Sequence, residues 1–218
     1  MPNNSNKDIK LPDIIPIFPL QGVVMFPDTY LPLNIFETRY LKMIDQAISN
    51  ENRLIGMIQP KNTNESEEIS AFYRVGCAGK IIKFEETEDN RYLITLKGLS
   101  RFNLISERTN YKNFKEANIN WENFSKDLEL NEKTSDFSTL KTTLKKYFRS
   151  KNIKANMDAI NTFNDYNFAD QIAMICPLEN NEKQLLLETS SLIKRKNLLQ
   201  ALLDSYINEN NISEPSKH

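Results

Sequence analysis

Residues 76–81 read GCAGKI, the nearest approach in this chain to a loop that cradles phosphate. A phosphate loop needs a wider glycine spacing, so that backbone N–H groups wrap the anion, and a Ser or Thr after the lysine to hold magnesium. Here Gly76 and Gly79 stand too close together and Ile81 occupies the hydroxyl position, so nucleotide chemistry is not expected. The single histidine, His218, is the last residue, which removes Ser-His and Cys-His nucleophile pairs and His-ligated metal. No GxSxG turn occurs, and no pattern marks a Ser-Lys dyad. Cys77 and Cys176 lie far apart, in segments patterned as a strand and a helix, and read as buried reduced thiols. The acidic run Glu85, Glu86, Glu88 and Asp89 lacks the alternate-ligand spacing of a calcium loop and reads as a solvated hairpin tip. Glu37 and Arg39 suggest an acid–base pair, yet residues two apart on a helix face different ways. Both are therefore expected to be structural, with Arg39 anchoring a helix to the β part through a carbonyl or a carboxylate. No catalytic residue, cofactor or metal is expected.

Overall charge narrows the partners. Lys+Arg number 28 against Asp+Glu 29, with a net charge of −1, so no global field draws nucleic acid or an anionic membrane. The one basic stretch, Lys141, Lys145, Lys146, Arg149, Lys151 and Lys154, has Tyr147 and Phe148 within it. It reads as the solvated back of an amphipathic helix whose aromatics face the core, and nucleic acid is not the expected partner. The N-terminus has no signal-peptide pattern and no apolar run is long enough to cross a bilayer, so a cytoplasmic protein without a membrane partner is expected.

The elements that position these residues begin with residues 15–39, IPIFPLQGVVMFPDTYLPLNIFETR. Pro16, Pro19, Pro27 and Pro32 exclude a long helix and favour short strands, expected at 14–18, 23–26 and 29–35, with a turn at Gly22 and another at Pro27-Asp28. Pro32 implies an edge or a bulge. Phe36, Tyr40, Ile44, Ala47 and Ile48 then recur at helical spacing, predicting a covering helix over 36–49. A short strand at 53–58, a polar loop at 61–70, and antiparallel strands through Trp121 follow, with a hairpin tip at Asp89-Asn90 and Gly98 and Arg101 opening a further strand. Residues 122–135 read as a linker. Beyond it the stripes Phe137, Leu140, Leu144, Tyr147 and Phe148, then Met157, Ile160 and Phe163, then Phe168, Ile172 and Ile175, then the leucines of 182–188, and Leu192 to Tyr206, predict a helical bundle over 136–209. Tails are expected at 1–12 and 210–218. The fold class is α+β.

Three blocks, IPIFPLQGVVMFPDTYLPLNIFETRYLKMI, RVGCAGKIIKF with RYLITLKGLSRF, and FADQIAMICPLENNEKQLLLETSSLIKRKNLLQALL, closely resemble the N-terminal substrate-binding domain of Lon proteases. The resemblance covers roughly residues 13–208 and implies a PUA-like pseudo-β-barrel followed by a C-terminal helical bundle. A full Lon protease adds an ATPase module and a Ser-Lys protease domain, and the chain ends before either, so it resembles a stand-alone Lon-domain protein that is not an enzyme.

The resemblance and the lack of a catalytic set together predict a module that binds unfolded or exposed protein segments, with a protease as a further expected partner and homo-oligomers allowed. Phe26, Tyr30, Phe36 and Tyr40 are the candidate peptide-binding residues, placed in a groove between the β part and the first bundle helix. Glu37, Arg39 and Arg101 are the candidate structural anchors. The alternative is an RNA-binding protein that uses the PUA-like barrel and the basic helix.

Overall fold

The computed structural model describes residues 11–61, 71–129, 136–163 and 165–213. Most of the expected N-terminal tail, nearly all of the loop at 61–70, the end of the linker and the last residues of the C-terminal tail lie outside them. Six strands, β1 (Ile14–Pro19), β2 (Tyr30–Ile35), β3 (Leu54–Ile58), β4 (Val75–Glu86), β5 (Tyr92–Thr109) and β6 (Lys115–Asn120), form one mixed sheet. Helix α1 (Thr38–Ser49) lies between β2 and β3, and α2 (Ser138–Ser150), α3 (Met157–Asn161), α4 (Phe168–Ile175), α5 (Asn180–Glu188) and α6 (Leu192–Ser213) follow the strands.

The pairings close on themselves. β1 runs parallel to β3 and antiparallel to β6, β3 pairs with β4, β4 with β5, and β5 with β6. β2 stands outside this circuit and, among the described residues, pairs with β5 alone. Its Pro32, which cannot donate to a ladder, therefore sits on an edge strand, the first of the two placements, edge or bulge, that the sequence allows. β5 is one continuous strand where two were expected. Its first half joins β2 and the outer half of β4, and its second half joins β6 and the inner half of β4. The offset between the halves is absorbed at Leu99, where the register shifts because Ala78 faces Ser100 and Gly79 faces Gly98.

Inside the circuit, Ile15, Ile17, Leu54, Ile58, Phe102, Ala117 and Ile119 form a core of their own. Phe102 explains part of the GCAGKI pattern. A Cβ on Gly76 would stand 2.4 Å from its ring, and one on Gly79 would stand 2.6 Å from the Met25 methyl. Both glycines make room for core side chains in a sheet, and the backbone there is committed to ladder pairing with β3 and β5.

Residues 23–26 do not form the expected strand. Val24, Met25 and Phe26 are buried in succession, without the alternation of a strand, and fill the space between sheet and helices. Thr29 closes this segment by donating its hydroxyl to the Phe26 carbonyl at 2.6 Å and accepting the Phe26 N–H at 3.2 Å. Gly98 fixes it from β5, with Asp28 N–H on its carbonyl at 3.0 Å and its own N–H on Thr29 at 2.9 Å. A Cβ at Gly98 would lie 1.9 Å from the Phe26 carbonyl oxygen.

Helix α1 buries Tyr40, Met43, Ile44 and Ala47, the i, i+3, i+4, i+7 stripe of an amphipathic helix. It begins two residues later than expected, with Glu37 rather than Asn34 at its N-cap. In the second half, α2 buries Leu140, Leu144, Tyr147 and Phe148 and packs against α6, and Phe137, buried at its N-cap, has its ring 5.4 Å from that of Phe168 of α4. Ile175 and Leu185, read as stripe members, are half exposed. Within the expected linker, residues Glu122–Leu128 wind into a 3-10 helix packed on β5. The larger core cluster includes residues of α1, β2, β3, β4, β5 and the C-terminal helices, so the two halves share apolar packing.

Candidate functional site

The seven residues singled out from the sequence fall into three environments. Phe26 is fully buried beneath the Arg195 guanidinium, and Tyr40 is 8% exposed with its ring 4.3 Å from that of Phe18. Both belong to the core because their backbone positions point inward from the covered face. Tyr40 shows only an edge to a cavity of about 400 Å³ shared with Phe72, Phe114 and Lys115. Tyr30 and Phe36 are 58% and 65% exposed, and the Arg91 guanidinium lies over the Phe36 ring, 5.9 Å from its centre. Glu37 and Arg39 do face each other. Glu37 is the extended N-cap residue and not part of the helix, so its carboxylate turns back to accept from Arg39 Nε at 2.9 Å. Arg39 lies over the Tyr40 ring and makes its ion pair with Glu37, the residue that caps its own helix, rather than with the sheet.

Arg101 is buried at the seam between sheet and helices. It binds Asp127 through two N–H groups at 2.8 Å each, and donates to the carbonyls of Leu187 at 3.0 Å and Thr189 at 2.7 Å, where α5 ends. The Thr189 carbonyl also accepts from Arg195, whose other side grips Asp170 at 2.6 and 2.9 Å. Gln59 and Gln184 meet at 3.1 Å in the same seam, and Lys183 donates to the Gly22 carbonyl at 2.9 Å. Burial lowers the Lys183 ammonium pKa from its ordinary value. These side chains bind one another and the backbone, so the seam between the sheet and α4, α5 and α6 is a site of attachment; none of them comes from α2, the first bundle helix, beside which the binding groove was expected. Asp127, Asp170, Lys183, Gln184 and Arg195 had no sequence signal beyond being polar residues beside apolar stripes.

The open surface lies elsewhere, on the outward face of β2, β5 and the outer half of β4. Alternation directs Leu31, Leu33, Ile35, Ile94 and Leu96 into the core. Tyr30, Pro32 and Asn34 point the other way, and stand opposite Lys97, Thr95 and Leu93. Thr95 and Leu93 in turn stand opposite Lys83 and Glu85 of β4. The result is a groove of about 700 Å³ lined by Pro32, Asn34, Ile82, Lys83, Leu93 and Thr95 among others. Ile82 and Leu93 are 44% and 40% exposed, and the Ile81/Lys83 register shift puts Ile82 at the bulge. On the opposite face the same strands are braced by the Phe84–Tyr92 ring pair at 4.8 Å and by the Tyr92 hydroxyl on Asp45 of α1 at 3.0 Å. Burial, with the Asp45 carboxylate beside it, pushes the Tyr92 hydroxyl pKa up, so it remains a donor.

Asn90 adopts the left-handed φ of 59° that the hairpin tip needs. Glu88 and Asp89 sit on that tip, whereas Glu85 and Glu86 belong to β4. The basic residues Lys145, Lys146 and Arg149 of α2 are exposed, but Tyr147 and Phe148 face the core and offer no stacking platform to a base. Both cysteines are buried, and burial raises each thiol, that of Cys176 to about 12. Among the described residues no cluster of His, Cys, Asp and Glu is placed to hold a metal, and no helix is long and apolar enough to cross a membrane.

An α+β domain with one six-stranded sheet and helices following the strands is a fold shared with solved Lon N-terminal domains. The Lon N-terminal domain protein from Xanthomonas campestris superposes with a TM-score of 0.57 at 18% identity over 88% of this chain and 97% of its own. The N-terminal domain of a Mycobacterium avium complex Lon protease gives 0.55 at 15% identity over 90% and 98%. The chain belongs to the family of the ATP-dependent protease La (LON) substrate-binding domain, whose model matches residues 14–205. It is 28% identical over 201 residues to the Lon protease of Syntrophus aciditrophicus, and 28% identical over 193 residues to that of Dictyoglomus thermophilum. In each case the match takes in 88% of this chain but about a quarter of the protease.

Proposed function

We propose that this chain is a non-catalytic recognition module that binds exposed, apolar segments of other proteins in the groove on the outward face of β2, β5 and β4, and presents them for proteolysis as an adaptor. The carrying observation is the groove itself, an apolar strip of Pro32, Ile82 and Leu93 continued along β2 by exposed Tyr30, in a member of a substrate-binding family. Mixed charges, Lys83 and Lys97 with Glu85, flank that strip and suit clients selected by exposed apolar surface rather than by net charge. In this reading the closed circuit of strands is the PUA-like pseudo-barrel, residues 136–209 form a bundle fastened to it through Arg101, and the protein works in the cytoplasm. The test is a titration of a labelled, permanently unfolded protein, such as a reduced and carboxymethylated globular chain, into the purified domain. Saturable binding at tens of micromolar supports the reading, and no binding in that range refutes it.

A further inference from the structure

The groove is bordered by a strand edge where, among the described residues, no further strand pairs with the outward backbone groups. β3 accompanies β4 only as far as Lys80, opposite Leu54, and the Ile81 N–H ends that border on the Arg53 carbonyl at 3.0 Å. Among the described residues, β4 from Ile82 to Glu86 pairs with β5 alone, and every one of these five residues is exposed. Which groups face outward follows from the ladder. Gly98 bonds Asp28 and Thr29, so the even-numbered residues of β5 address β2, in keeping with Pro32, which has no N–H, opposite Thr95. Thr95 and Leu93 therefore address β4, through Lys83 and Glu85. Phe84 and Glu86 are left with N–H and C=O groups directed away from the sheet.

We infer that a client segment binds by adding an extended strand to the Ile82–Glu86 edge of β4, its main chain pairing with Phe84 and Glu86 while alternate side chains lie in the groove beside Ile82 and Leu93. This inference rests on the proposed client-binding role and specifies its mode. Main-chain pairing is indifferent to sequence, which a receptor for many unfolded chains requires, and the groove selects for apolar residues at every second position. The β2 edge is less suited, because Pro32 interrupts its donors. A second copy of this chain is also less suited, since pairing edge to edge would set a second Lys83 and Glu85, rather than apolar side chains, beside the groove.

The probe is a capped peptide of alternating leucine and glutamine, with a version N-methylated at every second residue. Amide hydrogen exchange is followed residue by residue by NMR, without and with peptide. The Phe84 and Glu86 amides should slow by about tenfold or more on addition of the plain peptide, with Lys83 and Glu85 little changed, as expected for newly formed hydrogen bonds. N-methylation on the pairing edge should weaken binding by about tenfold. Phe84→Pro removes an outward N–H without touching the ladder to β5 and should bind about tenfold less tightly than Phe84→Ala, with thermal melting used to confirm that both fold. Binding of the plain peptide that neither protects these amides nor responds to N-methylation overturns strand addition and leaves the client-binding role standing. Failure of every peptide and unfolded chain to bind overturns both. Protection of Phe84 and Glu86 that rises with protein concentration alone assigns the edge to a second copy and also overturns the inference.

Discussion

Arg101 and Asp127 meet fork to fork, with side chains 3% and 10% exposed, and the same aspartate accepts the Arg101 backbone N–H at 3.0 Å. The pair fastens the 3-10 helix to β5, while the remaining guanidinium N–H groups reach the carbonyls that end α5. One arginine thus joins three elements. Removing it leaves a buried carboxylate without its cation, so Arg101→Ala should destabilise the protein by about 3–5 kcal/mol in denaturant titration. Arg101→Lys should recover only part of this, because an ammonium cannot bind a carboxylate and two carbonyls in one plane.

Arg39 presents the opposite case. Its ion pair with Glu37 is about half exposed, and exposed pairs contribute little. Counting its contact with the Tyr40 ring, Arg39→Ala should cost no more than about 1 kcal/mol, read by the same titration. A loss comparable to that of Arg101→Ala would mean that Arg39 holds α1 to the sheet.

Gly98 is held to glycine by distance alone. With a Cβ placed 1.9 Å from the Phe26 carbonyl, Gly98→Ala must displace the 26–29 segment and break its bonds to β5. A loss of about 2 kcal/mol or more is expected, together with increased exchange at the Asp28 amide.

Glu116 supplies a pH signature. Burial alone would raise its pKa, but hydrogen bonds from Asn110, Arg108 and Gln46 outweigh it and hold the carboxyl below the ordinary 4.5. A carboxylate with a lowered folded pKa stabilises fully above its unfolded value, and that contribution is lost as pH falls through the folded pKa. The stability difference between wild type and Glu116→Gln should therefore be constant above about pH 5 and shrink steadily below it, in denaturant titrations across that range.

How much of this could be read in the residues varies with the kind of signal. Prolines and periodicity marked β2 as an edge or bulged strand and α1 as a covering helix, because Pro32 and the Tyr40, Ile44, Ala47 stripe act locally. The paired β4–β5 hairpin was legible for the same reason, through Asn90. The unbroken β5 was not, since Gly98 reads as a strand end and becomes a close-approach residue only when Phe26 is seen above it. Nor was the irregular 23–26 segment, whose hydrophobicity reflects burial without a strand partner. The candidate contact residues divided by facing: Tyr30 and Phe36 reach solvent, whereas Phe26 and Tyr40 are core, and one-dimensional spacing does not say which face is covered. The groove joins residues 32–34, 82–85 and 93–95, and only the sheet register brings these together.

The most direct test of the account is the affinity of a labelled unfolded chain for wild type, Leu93→Asp and Tyr111→Ala, measured by fluorescence anisotropy. Leu93 lines the groove, and Tyr111, 87% exposed near the β5–β6 turn, is an aromatic surface residue outside it. A charge at Leu93 should weaken binding by about tenfold or more, at least about 1.4 kcal/mol, while Tyr111→Ala binds as wild type does. Equal affinity of wild type and Leu93→Asp, with both proteins folded, would contradict the assignment of the groove as the client site.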